Sequence, residues 1–353
     1  MDVKQLLQEA MACGASDLHL TVGSPPVTRI DGDLKRMSLN KLSPEDTELL
    51  VKSLLTEEQF NLLNMNGEID FSYALPGTSR FRVNAYRQRG SYAMALRTIP
   101  IDIPSIEKLY LPDVTHALIN KRRGLILVTG PTGSGKSTTL ASMINYVNQT
   151  RKEHIITLED PIEYLHKHNE SIVNQREIGT DSKSFGNSLR ASLRQDPDVI
   201  LVGEMRDLET ISTALTAAET GHLVLATLHT IGAPKTIDRI IDVFPPYQQQ
   251  QIRIQLAGVL EGIISQQLLP REGINGRRAA FEVLVATPAV RNLIREGKTH
   301  QILSAMQTGG QYGMITMDKS LISLYEEGEI SKENLYRYAS DLQYVKTQIG
   351  SNF

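Results

Sequence analysis

Apolar and polar residues alternate in short stretches over roughly the first hundred residues of the chain. This period of two predicts strands over residues 17–22, 69–74, 80–87 and 91–98. Helical spacing predicts a helix over residues 3–11, and Ser43-Pro44-Glu45-Asp46 offers the N-cap, proline and acids that begin another. The pattern therefore predicts a small α/β domain built on a largely antiparallel sheet.

Beyond about residue 113 the pattern changes to short, wholly apolar strands that are each followed by a helical stretch. These strands are predicted over residues 125–129, 155–159, 199–202 and 223–228. Strands without a polar face are typical of a parallel sheet that helices cover on both sides. From about residue 288 the chain is predicted to be helical, and Met317, Leu321 and Leu324 share one face of a helix over residues 316–327.

Three prolines mark the passage between the two regions. Pro100, Pro104 and Pro112 fall within a short stretch, and proline opposes both a helix and a central strand. We therefore predict an N-terminal domain at residues 1–98, a linker at residues 99–112 and a second domain at residues 113–353. A chain of 353 residues is long enough to form two such cores.

Composition restricts the class of protein. The net charge is −3, which lacks the basic excess of a duplex-binding protein, so we expect no nucleic-acid partner. The single cysteine, Cys13, excludes an internal disulfide framework and any zinc site with more than one cysteine ligand. The N-terminus has no apolar signal core, and no apolar run approaches the ~20 residues of a membrane span. We expect a cytoplasmic protein that reaches a membrane only through partners.

Residues 130–137 read GPTGSGKS, which fits the phosphate-binding pattern G-x-x-x-x-G-K-[ST]. Glycines let the backbone wrap around a phosphate, so that N–H groups and the following helix N-terminus point at the anion. We expect Lys136 to reach the β- and γ-phosphates of ATP and Ser137 to offer its hydroxyl to Mg²⁺. An apolar strand runs into the loop and a helix over residues 136–147 leaves it. The predicted nucleotide-binding residues are Gly130, Pro131, Thr132, Gly133, Ser134, Gly135, Lys136, Ser137 and Thr138.

Two acidic segments follow apolar strands and are expected at the same edge of the sheet, where ligands of such folds gather. Glu204 follows the strand over residues 199–202, and we assign it as the Walker B acid that helps to hold Mg²⁺. The second segment contains Glu159, Asp160 and Glu163. We expect Glu163 to orient or activate the attacking water, and the other two acids to shape the outer shell of the metal. The alternative for both segments is a solvated acidic turn.

His222 and His229 flank the strand over residues 223–228. Six residues span ~20 Å, so the two side chains are not expected to contact the same γ-phosphate within one subunit. His229 follows the carboxyl end of the strand and is the candidate that senses the γ-phosphate. The alternative for either histidine is a structural role in which backbone groups form hydrogen bonds to the ring. The spacing of the two histidines does not favour a metal site.

Arg80 and Arg82 share one face of a predicted strand, because side chains alternate along it, and Arg97 ends the next strand. These arginines are either a plain solvated face or a set of guanidinium groups offered to the phosphates of a neighbouring subunit. An arginine in the second role stabilises the charge of the transition state. The second domain offers no arginine that the sequence clearly aims at the nucleotide.

Four segments occur in an order and at a spacing that resemble the ATPase superfamily of type II secretion, type IV secretion and type IV pili. They read GPTGSGKS, IITLEDPIEY, LRQDPDVILVGEMRD and TGHLVLATLHT, and the resemblance covers nearly the whole chain. Residues 289–298, AVRNLIREGK, resemble the AIRNLIREGK motif of the pilus retraction ATPases, with valine in place of the first isoleucine. The single cysteine and the start at the small domain also resemble these members, since assembly and type II secretion ATPases usually carry a four-cysteine zinc module and an N-terminal extension.

The resemblance implies a RecA-like P-loop ATPase core with a parallel sheet, preceded by a small PAS-like α/β domain. It implies a Mg²⁺-dependent ATPase that forms a homo-hexamer and drives type IV pilus retraction for twitching motility. The ring would dock on the inner-membrane platform protein, at the inner face of the cytoplasmic membrane. ATP would bind between the first domain of one subunit and the second domain of its neighbour, which favours the catalytic role of Arg80, Arg82 and Arg97. Residues 289–298 would couple hydrolysis to pilus disassembly.

Three other functions are alternatives on the sequence alone. A pilus assembly or type II secretion ATPase is the alternative within the superfamily. A RecA-like nucleic-acid translocase would need a basic channel or stacking aromatics, but the chain has no tryptophan and no basic run longer than Lys121-Arg122-Arg123. A GTP-binding switch would need an N-K-x-D motif, and Asn120-Lys121-Arg122-Arg123 lacks the acid.

Overall fold

A computed structural model of the protein describes residues 2–30, 32–75, 79–99, 102–274 and 276–350. The chain divides into two compact units, which are Met1–Asp102 with Glu163–Leu165, and Ile103–Ile162 with His166–Phe353. The predicted linker over residues 99–112 includes Pro100 and Ile101, which lie outside the described residues. The predicted domain boundaries stay a prediction.

The first unit combines helices with a single sheet. Its elements are α1 (Val3–Ala12), β1 (Asp17–Leu20), β2 (Val27–Ile30), β3 (Asp33–Arg36), α2 (Pro44–Leu54), α3 (Glu57–Asn66), β4 (Glu68–Leu75), β5 (Ser79–Gln88) and β6 (Ser91–Ile99). The strand order is β3-β2-β1-β6-β5-β4, and every neighbouring pair is antiparallel. The predicted antiparallel α/β architecture is therefore confirmed. The pattern did not predict β2 and β3, because each has four residues and all of β3 is exposed.

Local sequence fixes where these elements begin and which side they bury. The α2 helix begins with a capping box, in which the Ser43 side chain accepts from Asp46 N and the Asp46 side chain accepts from Ser43 N. Along β5, Phe81, Val83 and Ala85 are buried in the core of the unit. The polar residues between them lie on the opposite face of the sheet, as a period of two requires.

The second unit has helices on both sides of a larger sheet. Its elements are α4 (Val114–Ile119), β7 (Gly124–Thr129), α5 (Lys136–Thr150), β8 (His154–Glu159), β9 (Ile172–Glu177), α6 (Phe185–Ser192), β10 (Val199–Val202), α7 (Leu208–Glu219), β11 (Leu223–Leu228), α8 (Ala233–Asp242), α9 (Pro246–Val259), β12 (Leu260–Pro270), β13 (Arg277–Val285), α10 (Pro288–Arg295), α11 (Ile302–Thr308), α12 (Met317–Glu326), α13 (Lys332–Tyr338) and α14 (Leu342–Gly350). Short 3₁₀ helices lie at Thr299–Gln301 and Gly310–Tyr312.

The sheet of the second unit has the order β13-β12-β7-β11-β10-β8-β9. Neighbouring strands are parallel from β12 to β9, and β13 runs antiparallel to β12. The predicted parallel sheet is thus confirmed for the central strands. The pattern did not predict β9, because its sequence IVNQRE includes several polar residues and forms a partly exposed edge strand.

Alternate residues of the central strands are buried on opposite faces of this sheet. Leu125 and Leu127 of β7 belong to the core that includes α6–α11, whereas Ile126 and Val128 belong to the core that includes α4 and α5. Burial on both faces explains why these strands read as continuous apolar runs.

The parallel strands carry four chain segments to one edge of the sheet. Thr129, the last residue of β7, pairs with Leu228, the last residue of β11. Val202, the last residue of β10, pairs with Leu158 near the end of β8. The phosphate-binding loop, the acidic segment after β8, Glu204 and His229 therefore all begin at the same edge, as the sequence predicts.

The last helices of the chain form an apolar cluster with the hairpin of β12 and β13. Leu321 of α12, Leu335 of α13 and Val345 of α14 are fully buried there, together with Leu269 and Ala280 of the hairpin. Among the residues that the structure describes, no helix combines the length and the apolar character that crossing a bilayer requires.

Candidate active site

The phosphate-binding loop joins β7 to α5 and contains three glycines with positive φ angles. These angles are 143° at Gly130, 77° at Gly133 and 88° at Gly135. A Cβ atom at Gly130 would collide with the backbone oxygen of Gln266 and would lie 2.7 Å from Oγ of Ser134. The close approach therefore requires glycine at position 130, and it keeps the backbone of the loop accessible to an anion.

Lys136 is the first residue of α5, and its side chain folds back over the loop. Nζ donates to the carbonyl oxygens of Gly130 and Pro131 at 2.9 and 3.0 Å, and the residue is 8% exposed. Burial lowers the pKa of Lys136, and the negative charge of Glu204 opposes that shift. The ammonium group is therefore held where a phosphate bound to the loop would contact it.

Gln266 of β12 supports the loop from the adjacent strand. Its Nε2 donates to the carbonyl oxygen of Ser134 at 2.6 Å, and its Oε1 accepts from Oγ1 of Thr139 at 2.9 Å. The side-chain amide thus ties the loop to the first turns of α5. Sequence reasoning missed this residue, although the polar run Ser265-Gln266-Gln267 lies between two pairs of apolar residues and is a usable signal.

Glu204 lies directly beyond β10, and the chain that leads to it is held to both neighbouring strands. Gly203 N donates to the oxygen of Leu158 at 2.7 Å, and its oxygen accepts from Oγ1 of Thr227 at 2.5 Å. The Glu204 carboxylate binds Nη2 of Arg206 through Oε2 at 2.6 Å. Burial by itself would raise the pKa of Glu204, but the hydrogen bonds and charges of Arg206 and His229 outweigh burial and lower it. The carboxylate is therefore ionised at neutral pH.

His229 stands between the acid and the phosphate-binding loop. Its Nε2 lies 3.2 Å from Oε1 of Glu204, and its Nδ1 lies 3.4 Å from Nζ of Lys136 and 3.5 Å from Oγ1 of Thr132. His222 lies at the opposite end of β11, where its Nδ1 is 2.9 Å from the oxygen of Ala217. The two histidines thus have different surroundings, and the site includes His229 but not His222.

The acidic segment begins at the end of β8. Oε1 of Glu159 accepts from Oγ1 of Thr157 at 2.6 Å and from Nε2 of Gln175 at 3.1 Å. Asp160 is exposed and contributes to raising the pKa of Arg206, a shift caused mainly by the hydrogen bond to Glu204. Glu163 is half-buried and falls in the stretch that belongs to the first compact unit. Its role as the base therefore stays a prediction.

Glu177 is a second residue that sequence reasoning missed. It ends β9, is 4% exposed, and its Oε2 accepts from the backbone N–H of Ile162 at 3.1 Å. Its own backbone N–H donates to Oδ2 of Asp181 at 2.8 Å. The buried carboxylate thus fixes the turn directly before Glu163. An acid at the end of a mostly polar edge strand gave no pattern from which to find it.

Arg206 of the second unit is a third residue that sequence reasoning missed. Its guanidinium binds Glu204, and its side chain is 72% exposed. Sequence reasoning missed Arg206 because this residue follows the Walker B strand in a segment where apolar residues show no regular spacing. The contact comes from the turn in which the chain leaves β10.

The three candidate arginines of the first unit lie on its outer sheet face. Arg82 of β5 and Arg97 of β6 are directly opposite each other and both are exposed, and Arg80 is half-buried two positions before Arg82. Nε of Arg97 lies 2.9 Å from Oδ1 of Asp17 on the next strand. Two like charges that face each other across a strand pair destabilise the sheet. The ion pair with Asp17 offsets part of the repulsion between Arg82 and Arg97.

The segment over residues 289–298 forms most of α10 and the turn after it. Arg291 is not a solvated residue, since its guanidinium donates to the oxygens of Ala257 and Gly258 at 2.8 Å each and lies 2.8 Å from Oε1 of Glu261. Arg295 is exposed, whereas Leu293 packs against the core. The segment therefore has a structural side and a surface side.

The residues of this site fit ATP and Mg²⁺. The loop has a backbone path that only glycine permits at position 130, Lys136 is held at the loop, and Ser137 is exposed in the first turn of α5. Within the described ranges, Oγ of Ser134 is buried without a hydrogen-bond partner, and no group of three His, Cys, Asp or Glu side chains is arranged to hold a metal ion. Mg²⁺ at a phosphoryl-transfer site is instead held by a hydroxyl, a carboxylate and the phosphates.

Comparison with known proteins gives matches over nearly the whole chain. The family model described as "Type II/IV secretion system protein" matches residues 1–336. The chain is 50% identical over 334 residues to "Type IV pilus retractation ATPase PilT" of Pseudomonas aeruginosa, which covers 95% of this chain and 97% of that protein. It is 51% identical over 316 residues to "Twitching motility protein" of Neisseria gonorrhoeae, which covers 90% of this chain and 84% of that protein.

A solved structure is similar at the level of the fold as well. The "Crystal Structure of the Pilus Retraction Motor PilT and Bound ADP" superposes with a TM-score of 0.93 at 53% sequence identity. The match covers 98% of this chain and 99% of the solved one. The resemblance inferred from the four sequence segments is therefore confirmed.

Proposed function

The chain belongs to the type II/IV secretion system protein family and is an ATPase, and from this premise we propose that it is the motor that retracts type IV pili in twitching motility. One observation carries the proposal. The phosphate-binding loop, Glu204 and His229 meet in a chain that matches a pilus retraction ATPase over 95% of its length. The AVRNLIREGK sequence of residues 289–298 supports retraction over pilus assembly or type II secretion.

ATP is the substrate, and residues 130–138 form its phosphate cradle. The backbone N–H groups of the loop and the N-terminus of α5 bind the phosphates, because both present positive partial charge. Lys136 neutralises charge on the β- and γ-phosphates. Gln266 keeps the loop in position through its bonds to Ser134 and Thr139. Bound Mg²⁺ would neutralise part of the negative charge of the phosphates.

Side chains at the sheet edge divide the work of hydrolysis. Glu163 orients the attacking water and accepts its proton. Ser137 and Glu204 would hold Mg²⁺ directly or through water, and Glu159 and Asp160 would order its outer shell. His229 reports whether a γ-phosphate is present, a role supported by its position between Glu204 and Lys136.

The functional form is a homo-hexameric ring in which each active site is shared by two subunits. Arg80, Arg82 and Arg97 of one subunit contact the phosphates that the loop of its neighbour binds. The exposed, directly opposed pair of Arg82 and Arg97 supports this assignment, because two guanidinium groups on one face can contact the same phosphate. Arg206 is a further candidate within the second unit.

The ring docks through partners at the inner face of the cytoplasmic membrane. Its partner is the inner-membrane platform protein of the type IV pilus, and no nucleic acid is involved. The surface side of α10, with Arg295, couples hydrolysis to removal of pilin subunits. The exposure of Arg295, against the buried contacts of Arg291, supports a division of this segment between coupling and structure.

A strain that lacks the gene tests the proposal. We expect many surface pili and no twitching motility, because pili would still assemble but would not retract. Complementation with the wild-type gene should restore motility, and complementation with Lys136→Ala should not. Cells without pili would show that the protein is an assembly ATPase instead.

A further inference from the structure

The loop that carries His229 is anchored to the sheet as well as to its own helix, where Oγ1 of Thr230 lies 2.7 Å from Oγ1 of Thr236. It connects β11 to α8, whose N-cap residue Gly232 has no side chain to bind the first N–H groups of the helix. The sheet supplies the missing acceptors. Oγ of Ser265 accepts from Gly232 N at 3.0 Å, and Oε1 of Glu282 accepts from Ala233 N at 2.7 Å. These bonds satisfy groups that would otherwise lack a partner at a helix start.

The two acceptors lie in a row of paired residues that crosses the sheet and ends next to the phosphate-binding loop. Glu282 of β13 pairs with Ser265 of β12, and Ser265 pairs with Thr129 of β7. Thr129 is the residue directly before Gly130. A change in the position of Glu282 or Ser265 would therefore move the loop of His229 relative to the residues that bind the phosphates.

The second oxygen of Glu282 binds a different helix. Its Oε2 accepts from Met317 N, the first residue of α12, at 3.4 Å. The residue is 6% exposed. Burial raises the pKa of Glu282 against the opposing effect of its two backbone hydrogen bonds, and Asp318 adds to the rise. An apolar residue would avoid this desolvation, so packing alone does not account for a carboxylate here.

We propose that Glu282 is a positioning residue for His229. Glu282 fixes the loop between β11 and α8, and it links that loop to the C-terminal helices through α12. The proposal rests on the role of His229 given under the proposed function. A positioning role requires no contact between Glu282 and the nucleotide. Glu282 acts by setting the distance between His229 and the site formed by Lys136 and Glu204.

The test measures hydrolysis and nucleotide affinity in the full-length protein. The affinities for ATP and for ADP, each with Mg²⁺, are determined by displacement of a fluorescent nucleotide. We expect Glu282→Ala to lower kcat by about tenfold, because His229 is no longer held in position at the γ-phosphate. The ratio of ATP affinity to ADP affinity should shift in the same direction as in His229→Ala. Glu282→Gln should be intermediate, since its amide oxygen still accepts from Ala233 N.

Glu329→Gln is the matched control. Glu329 is a largely buried carboxylate in the same C-terminal region, but its partner is Arg271, whose Nε lies 2.8 Å from Oε2 of Glu329. This variant should lose stability while the affinity ratio stays at the wild-type value. An equal fall of kcat in Glu329→Gln and Glu282→Ala, with an unchanged affinity ratio in both, would show that Glu282 is only structural.

Two further variants keep the test decisive. If Glu282→Ala does not fold, the same measurements are made on Glu282→Gln and Ser265→Ala, because each variant weakens one of the bonds that hold the loop of His229 to the sheet. A shift in His229→Ala that neither of these reproduces overturns the positioning role alone. A wild-type ratio in folded His229→Ala instead overturns the sensing role of His229, so the two failures are distinguishable.

Discussion

Glu204 and His229 meet across the carboxyl ends of two neighbouring strands, with Oε1 of the acid 3.2 Å from Nε2 of the ring. The other ring nitrogen lies 3.4 Å from Nζ of Lys136. Through this histidine, the acid after β10 and the lysine of the phosphate-binding loop are linked without the nucleotide. A substitution of Glu204, His229 or Lys136 is therefore expected to change the positions of the other two side chains.

Replacing Glu163 with glutamine should stop hydrolysis and preserve ATP binding. The amide cannot accept the proton of the attacking water, and loss of a general base costs about 100-fold or more in rate. Single-turnover hydrolysis and equilibrium ATP binding measure the two effects separately. The matched variant is Glu204→Gln. If Glu204→Gln loses hydrolysis while Glu163→Gln keeps it, the two acids have the opposite roles.

Replacing Gln266 with alanine should weaken nucleotide binding by about tenfold. The variant loses the donor to the Ser134 oxygen and the acceptor of the Thr139 hydroxyl, and a buried hydrogen bond contributes about 1 kcal/mol or more. The measurement is the dissociation constant for ATP. Gln267→Ala is the control, because the next side chain along a strand points to the opposite face. Equal effects of the two variants would contradict a specific role for Gln266.

His166 should make the protein sensitive to mild acid. Burial lowers the pKa of His166 from 6.5 to about 4. As pH falls, the unfolded chain binds a proton at this position before the folded protein does, so stability is lost between about pH 6.5 and about pH 4. Between about pH 7 and about pH 5 the loss should be about 2 kcal/mol.

Urea unfolding of wild type and His166→Gln at both pH values measures this loss. The glutamine variant should lose less stability on acidification, because its amide does not titrate. His300→Gln changes an exposed histidine and should behave as wild type. If all three proteins respond equally to pH, His166 does not cause the acid sensitivity.

Mixed rings should recover activity if the active site is shared between subunits. Arg82→Ala and Lys136→Ala should each abolish ATPase activity alone. After subunit exchange, some interfaces contain an intact Lys136 on one side and an intact Arg82 on the other, so part of the activity should return. Cross-linked homogeneous rings should stay inactive. Full activity of Arg82→Ala alone would show that this arginine is an ordinary solvated residue.

Changing the surface side of α10 should uncouple hydrolysis from motility. We expect Arg295→Ala to keep wild-type ATPase activity and to lose most twitching, because the side chain is exposed and lies outside the contacts described for the site. Leu293 contacts the core, so Leu293→Ala should also lower stability. Arg291→Ala should lower stability further through its lost bonds to Ala257, Gly258 and Glu261. Loss of ATPase activity in folded Arg295→Ala would instead place Arg295 in support of the site.

Local sequence was sufficient wherever the structure follows from a short-range pattern. The GPTGSGKS loop, the strand before it and the helix after it are set by glycine conformation and apolar periodicity within a few residues. The parallel sheet followed from strands that are apolar on both sides, and its parallel arrangement then implied a shared edge for Glu204 and His229. These predictions needed no knowledge of contacts between distant residues.

Contacts between distant residues decided the rest. Gln266 supports a loop that precedes it by more than a hundred residues, and Glu282 supports the loop of His229 from a strand that follows it. Arg206 contacts Glu204 in a turn whose sequence has no regular spacing of apolar residues. Arg291 is fixed by carbonyl oxygens of another helix. The reason is physical. A pattern along the chain records which side of an element is buried, whereas the partner of a polar side chain depends on how separate elements pack.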